Sequence, residues 1–182
     1  MALVAFGYGS LTSFSALFAD HLHVTPRSLF LSVMAGAVLM GRLTIGRSLD
    51  RRGHRNVLLP SLMAPALGLF LLALAQGKIT LVIAAIVFGS GFGLMYPSFT
   101  AYVMNHVPAN RRGAAFGAML AAFDTGVGTG STTLGWLVEH FGFRSAYLVT
   151  SVVALLALPY FLLVEKRLGF NRHAAHSPLQ RS

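Results

Sequence analysis

The sequence predicts an all-α, polytopic membrane protein of six transmembrane helices arranged as an inverted three-plus-three repeat, and three observations predict it. The 182 residues are 55% hydrophobic and only 10% charged, with a mean hydropathy of +0.68, too apolar a composition to cover a soluble surface. Six nearly uncharged runs approach the roughly 20 residues that a bilayer core of about 30 Å demands of a helix. Finally, the spacing Gly41-x4-Gly46-x3-Asp50-x2-Gly53-x-Arg55 returns 89 positions later as Gly130-x4-Gly135-x3-Glu139-x2-Gly142-x-Arg144. That offset spans three runs, an odd number, so the second copy is threaded upside down. The runs are contiguous rather than alternating, which disfavours a β-barrel.

The first run, 2–19, carries Gly7, Tyr8, Gly9, Ser10, Thr12, Ser13 and Ser15. It has no basic n-region and no clear cleavage site, so it reads as a retained helix rather than a signal peptide. Met1 stands directly at its start, which points to a chain that is the back part of something longer. The second run, 29–45, contains Arg42 and leads into the densest charge in the chain. The third, 57–75, has one glycine and two prolines, and the sixth, 146–164, has neither glycine nor charge; both are smooth enough to face lipid or the periphery. The fourth, 79–104, has Gly89, Gly91 and Gly93 followed by Tyr96 and Pro97, and the fifth, 113–138, has Gly126, Gly128 and Gly130 among six glycines. Small residues let membrane helices approach closely, and a glycine run followed by proline marks a helix that bends. Gly89, Gly91, Gly93, Pro97, Gly126, Gly128 and Gly130 are therefore the expected bending positions. Four pliable helices, the first, second, fourth and fifth, then surround a central pathway. The remainder, 165–182, is basic and aperiodic, and is expected to be a disordered cytoplasmic tail.

A formal net charge of +9 invites a nucleic-acid partner, but the placement of the charges excludes it. Arg47, Arg51, Arg52, Arg55, Arg111, Arg112 and the four basic residues of the tail occupy alternate connections, while the opposite side has Arg27, Lys78 and Arg144. By the positive-inside rule both termini are expected to be cytoplasmic, and the membrane is expected, separately from that rule, to be a plasma (bacterial inner) membrane. The chain has no cysteine, so neither disulfides nor thiolate metal sites arise. All seven histidines fall outside the apolar runs, and His21 and His23 lack the carboxylate cluster of a metal site. No metal and no cofactor are expected.

Two charged residues lie within runs. Asp124 is 11 residues past Gly113, about 16 Å into its helix at 1.5 Å per residue and thus near the midplane. Intramembrane carboxylates are costly and face a cavity or relay protons, so Asp124 is a candidate for proton coupling or cation binding; satisfaction by neighbours such as Thr125 is the alternative. Arg42, about 12 Å inside its helix, either snorkels to the interface or pairs with Asp124. Tyr8, Phe14, Phe18, Tyr96 and Tyr102 are candidate substrate contacts, Tyr8 and Tyr96 foremost because they are polar-tipped with glycines nearby, against packing or interface anchoring. A membrane serine protease needs a histidine within a span, and an aspartyl protease needs two aspartates there. Neither exists, so an enzyme is not expected.

Residues 46–55 resemble the signature loop of the major facilitator superfamily, Gly-x-Leu-Ala-Asp-Arg-x-Gly-Arg-Arg. Gly46, Asp50, Arg51, Gly53 and Arg55 match, while Ser48 and Leu49 replace the usual Leu and Ala and His54 replaces one of the basic pair. Residues 89–97, 111–113 and 124–144 are similar to the tenth and eleventh helices of drug and metabolite exporters in that superfamily. The resemblance covers residues 1–164 and implies the C-terminal six-helix half of a twelve-helix secondary transporter. It implies proton-coupled export of a small organic solute or drug by alternating access, with the lipid bilayer, a small-molecule substrate and the proton as partners. Asp50 would gate against a second six-helix bundle, either a missing N-terminal half or another copy of this chain. A truncated, non-transporting remnant or an accessory membrane subunit is the alternative.

Overall fold

The computed structural model describes residues 1–52 and 54–167, with side chains described at 1–43 and 59–164. Among the described residues every regular element is helical: α1 Ala2–His21, α2 Leu29–Arg52, α3 His54–Ala73, α4 Lys78–His106, α5 Arg112–Leu155 and α6 Ala157–Arg167, with a 3-10 turn at Ala109–Arg111. Local chemistry sets several boundaries. The Thr80 hydroxyl accepts from the Gln76 and Gly77 backbone N–H groups at 3.1 and 3.3 Å, satisfying donors at the start of α4 that have no intrahelical partner. α4 stops where Val107 turns extended, the conformation that the following Pro108 imposes.

Three helical stretches are long and apolar enough to cross a membrane, Ala2–His21, Lys78–His106 and Ala109–Val164, and two shorter apolar ones, Leu29–Leu43 and Leu59–Ala73, accompany them. The count is five where six were expected. The difference lies in the last stretch, whose 56 residues would extend about 84 Å if straight, far beyond a core of about 30 Å. It is not straight. Gly142 has φ 77° and ψ 168°, non-helical values inside α5 that a residue without a Cβ adopts freely. Beyond Gly142 the chain runs back along α1. Tyr147 packs on Phe18 with ring centroids 5.2 Å apart, Ala154 lies against Gly7, and Ala157 and Phe161 line a space with Met1 and Leu3. The fifth and sixth expected spans are thus two arms of one helical stretch.

The bundle packs α1 on α5, α2 on α4, and α3 on both α4 and α5. Its core gathers Leu11, Phe18, Phe30, Leu69, Leu72, Leu81, Phe88, Leu134 and Tyr147, all fully buried. α1 and the arm of α5 before Gly142 run in the same direction, since Ala2 meets Gly126 and Phe6 meets Gly130; so do α2 and α4, since Met34 meets Gly89 and Val38 meets Gly93. The 89-residue offset relates these two crossings. Val38 and Val127 each receive a glycine from the partner helix, Gly93 and Gly9, and Gly41 and Gly130 each lie against the partner's backbone. α3 is more central than its smooth sequence implies. It exposes Met63, Leu67 and Phe70 but buries Leu62, Ala66, Leu69 and Leu72, and Gly68 admits Phe88 so closely that an added Cβ would lie 2.6 Å from the Phe88 Cβ.

Candidate functional site

α4 places Phe88, Phe92 and Tyr96 one turn apart, on one helix face. Tyr8 of α1 stacks on Phe92 with ring centroids 4.4 Å apart and planes 1° from parallel. Phe123 of α5 closes the group, 6.0 Å from Tyr8, 6.4 Å from Phe92, and 6.0 Å from Tyr96 edge-on at 86°. Stacked and edge-to-face pairs of this kind contribute about 0.5–1.5 kcal/mol each beyond area burial. Phe88 is fully buried, whereas Tyr8, Phe92, Tyr96 and Phe123 keep partial exposure, so the cluster joins three helices and opens on one side. Tyr8 and Tyr96 both belong to it, whereas Tyr102 packs elsewhere, on Phe161.

Asp124, next in sequence to Phe123, is exposed. It lies on a stripe of α5 that also exposes Gly117, Ala121, Thr125, Gly128 and Thr132, and a Cβ added at Gly117 or Gly128 would meet nothing within 4 Å. The threonines do not serve Asp124. Thr125 donates to the Ala121 carbonyl at 2.7 Å, Thr129 to Thr125 at 2.7 Å, and Thr132 to Gly128 at 3.0 Å, each hydroxyl turned back into its own helix. Among the described residues the Asp124 carboxylate has no hydrogen-bond or ion-pair partner. It does not pair with Arg42. The ion pair found among them is Arg27 with Asp20, at 2.9 Å and largely exposed. Arg42 instead donates from Nε to the Gly93 carbonyl of α4 at 3.3 Å.

The glycines expected to bend helices occupy close crossings in most cases. Gly89 and Gly93 face α2, Gly91 faces Ala64 and Pro65 of α3, and Gly126 and Gly130 face α1, while Gly128 faces open space. Pro97 lies inside α4. Of the signature residues, Gly53 lies outside the described residues, as does the tail from 168 onward. Gly46, Asp50 and Arg51 fall within α2 and Arg55 within α3, with their side chains outside the described set.

The aromatic partners Phe92 and Phe123 were not singled out in the sequence, although the four-residue spacing of Phe88, Phe92 and Tyr96 marks one helix face. Also unanticipated is a hydroxyl network between α1 and α5: Ser10 donates to the Gly130 carbonyl at 3.0 Å, Ser13 to the Ser131 hydroxyl at 3.0 Å, and Ser131 lies 3.2 Å from the Gly9 carbonyl. A cavity of about 610 Å³ opens elsewhere, between the start of α1, the end of α4 and α6. Its walls are mostly apolar, among them Leu62, Phe99, Ala157 and Phe161, and of the candidate substrate contacts it contains Tyr102 alone.

The sequence profile of the Major Facilitator Superfamily matches residues 1–179. An uncharacterized MFS-type transporter of Pseudomonas aeruginosa (strain UCBPP-PA14) is 32% identical over 167 residues, 92% of this chain and 42% of the relative. An uncharacterized MFS-type transporter of Salmonella typhimurium (strain LT2) is 28% identical over 86% of this chain and 40% of its own length. One from Burkholderia mallei (strain SAVP1) is 27% identical over 85% and 38%. The chain spans about two fifths of the length of these relatives.

Proposed function

The chain belongs to the major facilitator superfamily of membrane transporters, and from that membership we propose that it forms one six-helix half of a secondary active carrier that exports a small organic solute or drug in exchange for protons. The observation that carries this reading is the exposed Asp124 on the small-residue stripe of α5, beside the half-open aromatic cluster. An intramembrane carboxylate without a protein partner suits a group that gains and loses a proton or meets a cation. Tyr8, Phe92, Tyr96 and Phe123 supply the apolar wall that an organic solute needs, with the two phenols to orient it. A second six-helix bundle, the missing half or another copy of this chain, would cover the face and allow alternating access by rocking. In that arrangement Asp50, with Gly46, Arg51, Gly53 and Arg55, gates the cytoplasmic end. The Lys and Arg asymmetry supports cytoplasmic termini, and the membrane is, on this reading, a bacterial inner membrane.

Reconstitution of the full-length carrier in vesicles carrying a pH-sensitive dye tests the proposal. Substrate addition is expected to drive proton movement, and Asp124→Asn to abolish that movement while substrate binding persists. Unaltered coupling in the variant would remove Asp124 from the proton path.

A further inference from the structure

We propose that Arg42 is a positioning residue: from α2 it supplies the hydrogen bond that Pro97 withholds from Gly93 inside α4, and so fixes the proline-interrupted helix beside the aromatic cluster. Only the consequence for transport rests on the carrier reading; the positioning itself stands on the following geometry.

Within a helix the carbonyl of residue 93 accepts from the N–H of residue 97, and proline has none. A backbone carbonyl deprived of its donor in apolar surroundings must find another. The Nε–H of Arg42 reaches the Gly93 carbonyl at 3.3 Å. Gly93 makes this reach attainable, because it brings α4 close to α2: a Cβ there would lie 3.0 Å from Val38 Cα. Val38 is one turn before Arg42.

The second copy of the repeat supplies the control. At the 89-residue offset Val127 stands for Val38 and Ser131 for Arg42. Gly9 of α1 packs on Val127, and its carbonyl lies 3.2 Å from the Ser131 hydroxyl, whose single proton is shared with the nearer Val127 carbonyl at 2.9 Å. The crossing is built the same way, a glycine on a valine with a donor one turn further along. But α1 contains no proline, so every carbonyl at that crossing keeps a helical donor in its own chain, and a neutral hydroxyl suffices. The copy with Pro97 carries the charged donor, whose hydrogen bonds are stronger. A guanidinium inside a membrane span thus has a structural reason that requires neither a carboxylate partner nor an anionic substrate. Phe92 and Tyr96 immediately precede Gly93 and Pro97, so the bond governs where two of the cluster's rings stand relative to α2.

The test is a mutant cycle on the full-length protein in lipid nanodiscs, read by amide hydrogen exchange across residues 92–98 with no ligand added. Arg42→Met, which keeps the length and loses the donor, is expected to speed exchange there by roughly tenfold. Arg42→Lys, which keeps a charged donor, should retain most of the protection. Pro97→Ala restores the helical N–H, so Arg42→Met in the Pro97→Ala background should exchange at the rate of Pro97→Ala alone. If Arg42→Met does not fold by itself, a folded and protected double variant supports the proposal, and an unfolded one overturns it. Equal effects of Arg42→Met with and without Pro97 overturn it as well. Because the readout needs no substrate, failure of the carrier reading would appear separately, as wild-type protein that moves no protons.

Discussion

Tyr147 is fully buried and packs against Phe18, yet among the described residues its hydroxyl has no hydrogen-bond partner. A buried hydroxyl left unmatched is unfavourable, whereas its removal without loss of the ring preserves packing. Tyr147→Phe is therefore expected to stabilise the bundle by about 1 kcal/mol, seen as a higher thermal unfolding midpoint in detergent; a lower midpoint would mean that the hydroxyl is satisfied in the membrane. At this scale the sequence was partly legible. The depth of Asp124 follows from helix rise alone, and Tyr8 and Tyr96 stand out as polar-tipped aromatics with glycines nearby. Direction was not legible. Lipid-facing and core-facing residues are both apolar, so hydrophobic periodicity, which orients a helix in a soluble protein, cannot say that Phe123 turns toward Tyr8 while Asp124 turns outward. Nor did it reveal that the Thr125 hydroxyl turns back to Ala121.

Helix crossings separate glycines that look alike in sequence. Gly126, Gly128 and Gly130 lie within five residues of α5, and a run of this kind serves either bending or close approach. The structure separates them by neighbour. A Cβ at Gly126 would sit 2.8 Å from the Ala5 Cβ, and one at Gly130 would sit 2.8 Å from Phe6 Cα, backbone that cannot step aside, whereas Gly128 has nothing within 4 Å. Gly126→Ala and Gly130→Ala are each expected to destabilise by about 1–3 kcal/mol through overpacking. Gly128→Ala should be neutral or stabilising by up to about 1 kcal/mol, because alanine is the better helix former. Thermal unfolding of the three variants in one detergent checks the ordering, and equal effects would contradict the crossing. The repeat, by contrast, was fully legible as spacing, since Gly41 and Gly130 keep the same place in α2 and α5. What it did not reveal was that the turn at Gly142 would leave the last two spans in one helical stretch, because a left-handed φ at a single glycine carries no signal beyond the glycine itself.

Over the whole molecule two kinds of exposed surface differ in chemistry. α3 presents Met63, Leu67 and Phe70, and α4 presents Ile79, Ile83 and Ile86, bulky apolar side chains suited to lipid tails. α5 presents Gly117, Ala121, Asp124, Thr125, Gly128 and Thr132, with Phe116 and Leu120 exposed near its start, and on α2 a Cβ added to Gly36 would also meet open space. Small residues bring no advantage against fluid lipid, but they let another helix approach or leave room for water and solute. A chain that spans about two fifths of its relatives has reason to carry such a face. If a second bundle and the substrate path lie there, a large side chain at Gly128 should spare the fold and block the function. Gly128→Leu is expected to leave bundle stability unchanged or raised by up to about 1 kcal/mol, since leucine is also a better helix former than glycine, while transport by the full-length carrier is lost. Leu67→Phe, on the bulky face, should leave transport unchanged. The comparison requires both thermal unfolding and vesicle transport on the same preparations. Wild-type transport in Gly128→Leu would mean that the α5 stripe faces lipid, and the second bundle would then have to pack on a different surface.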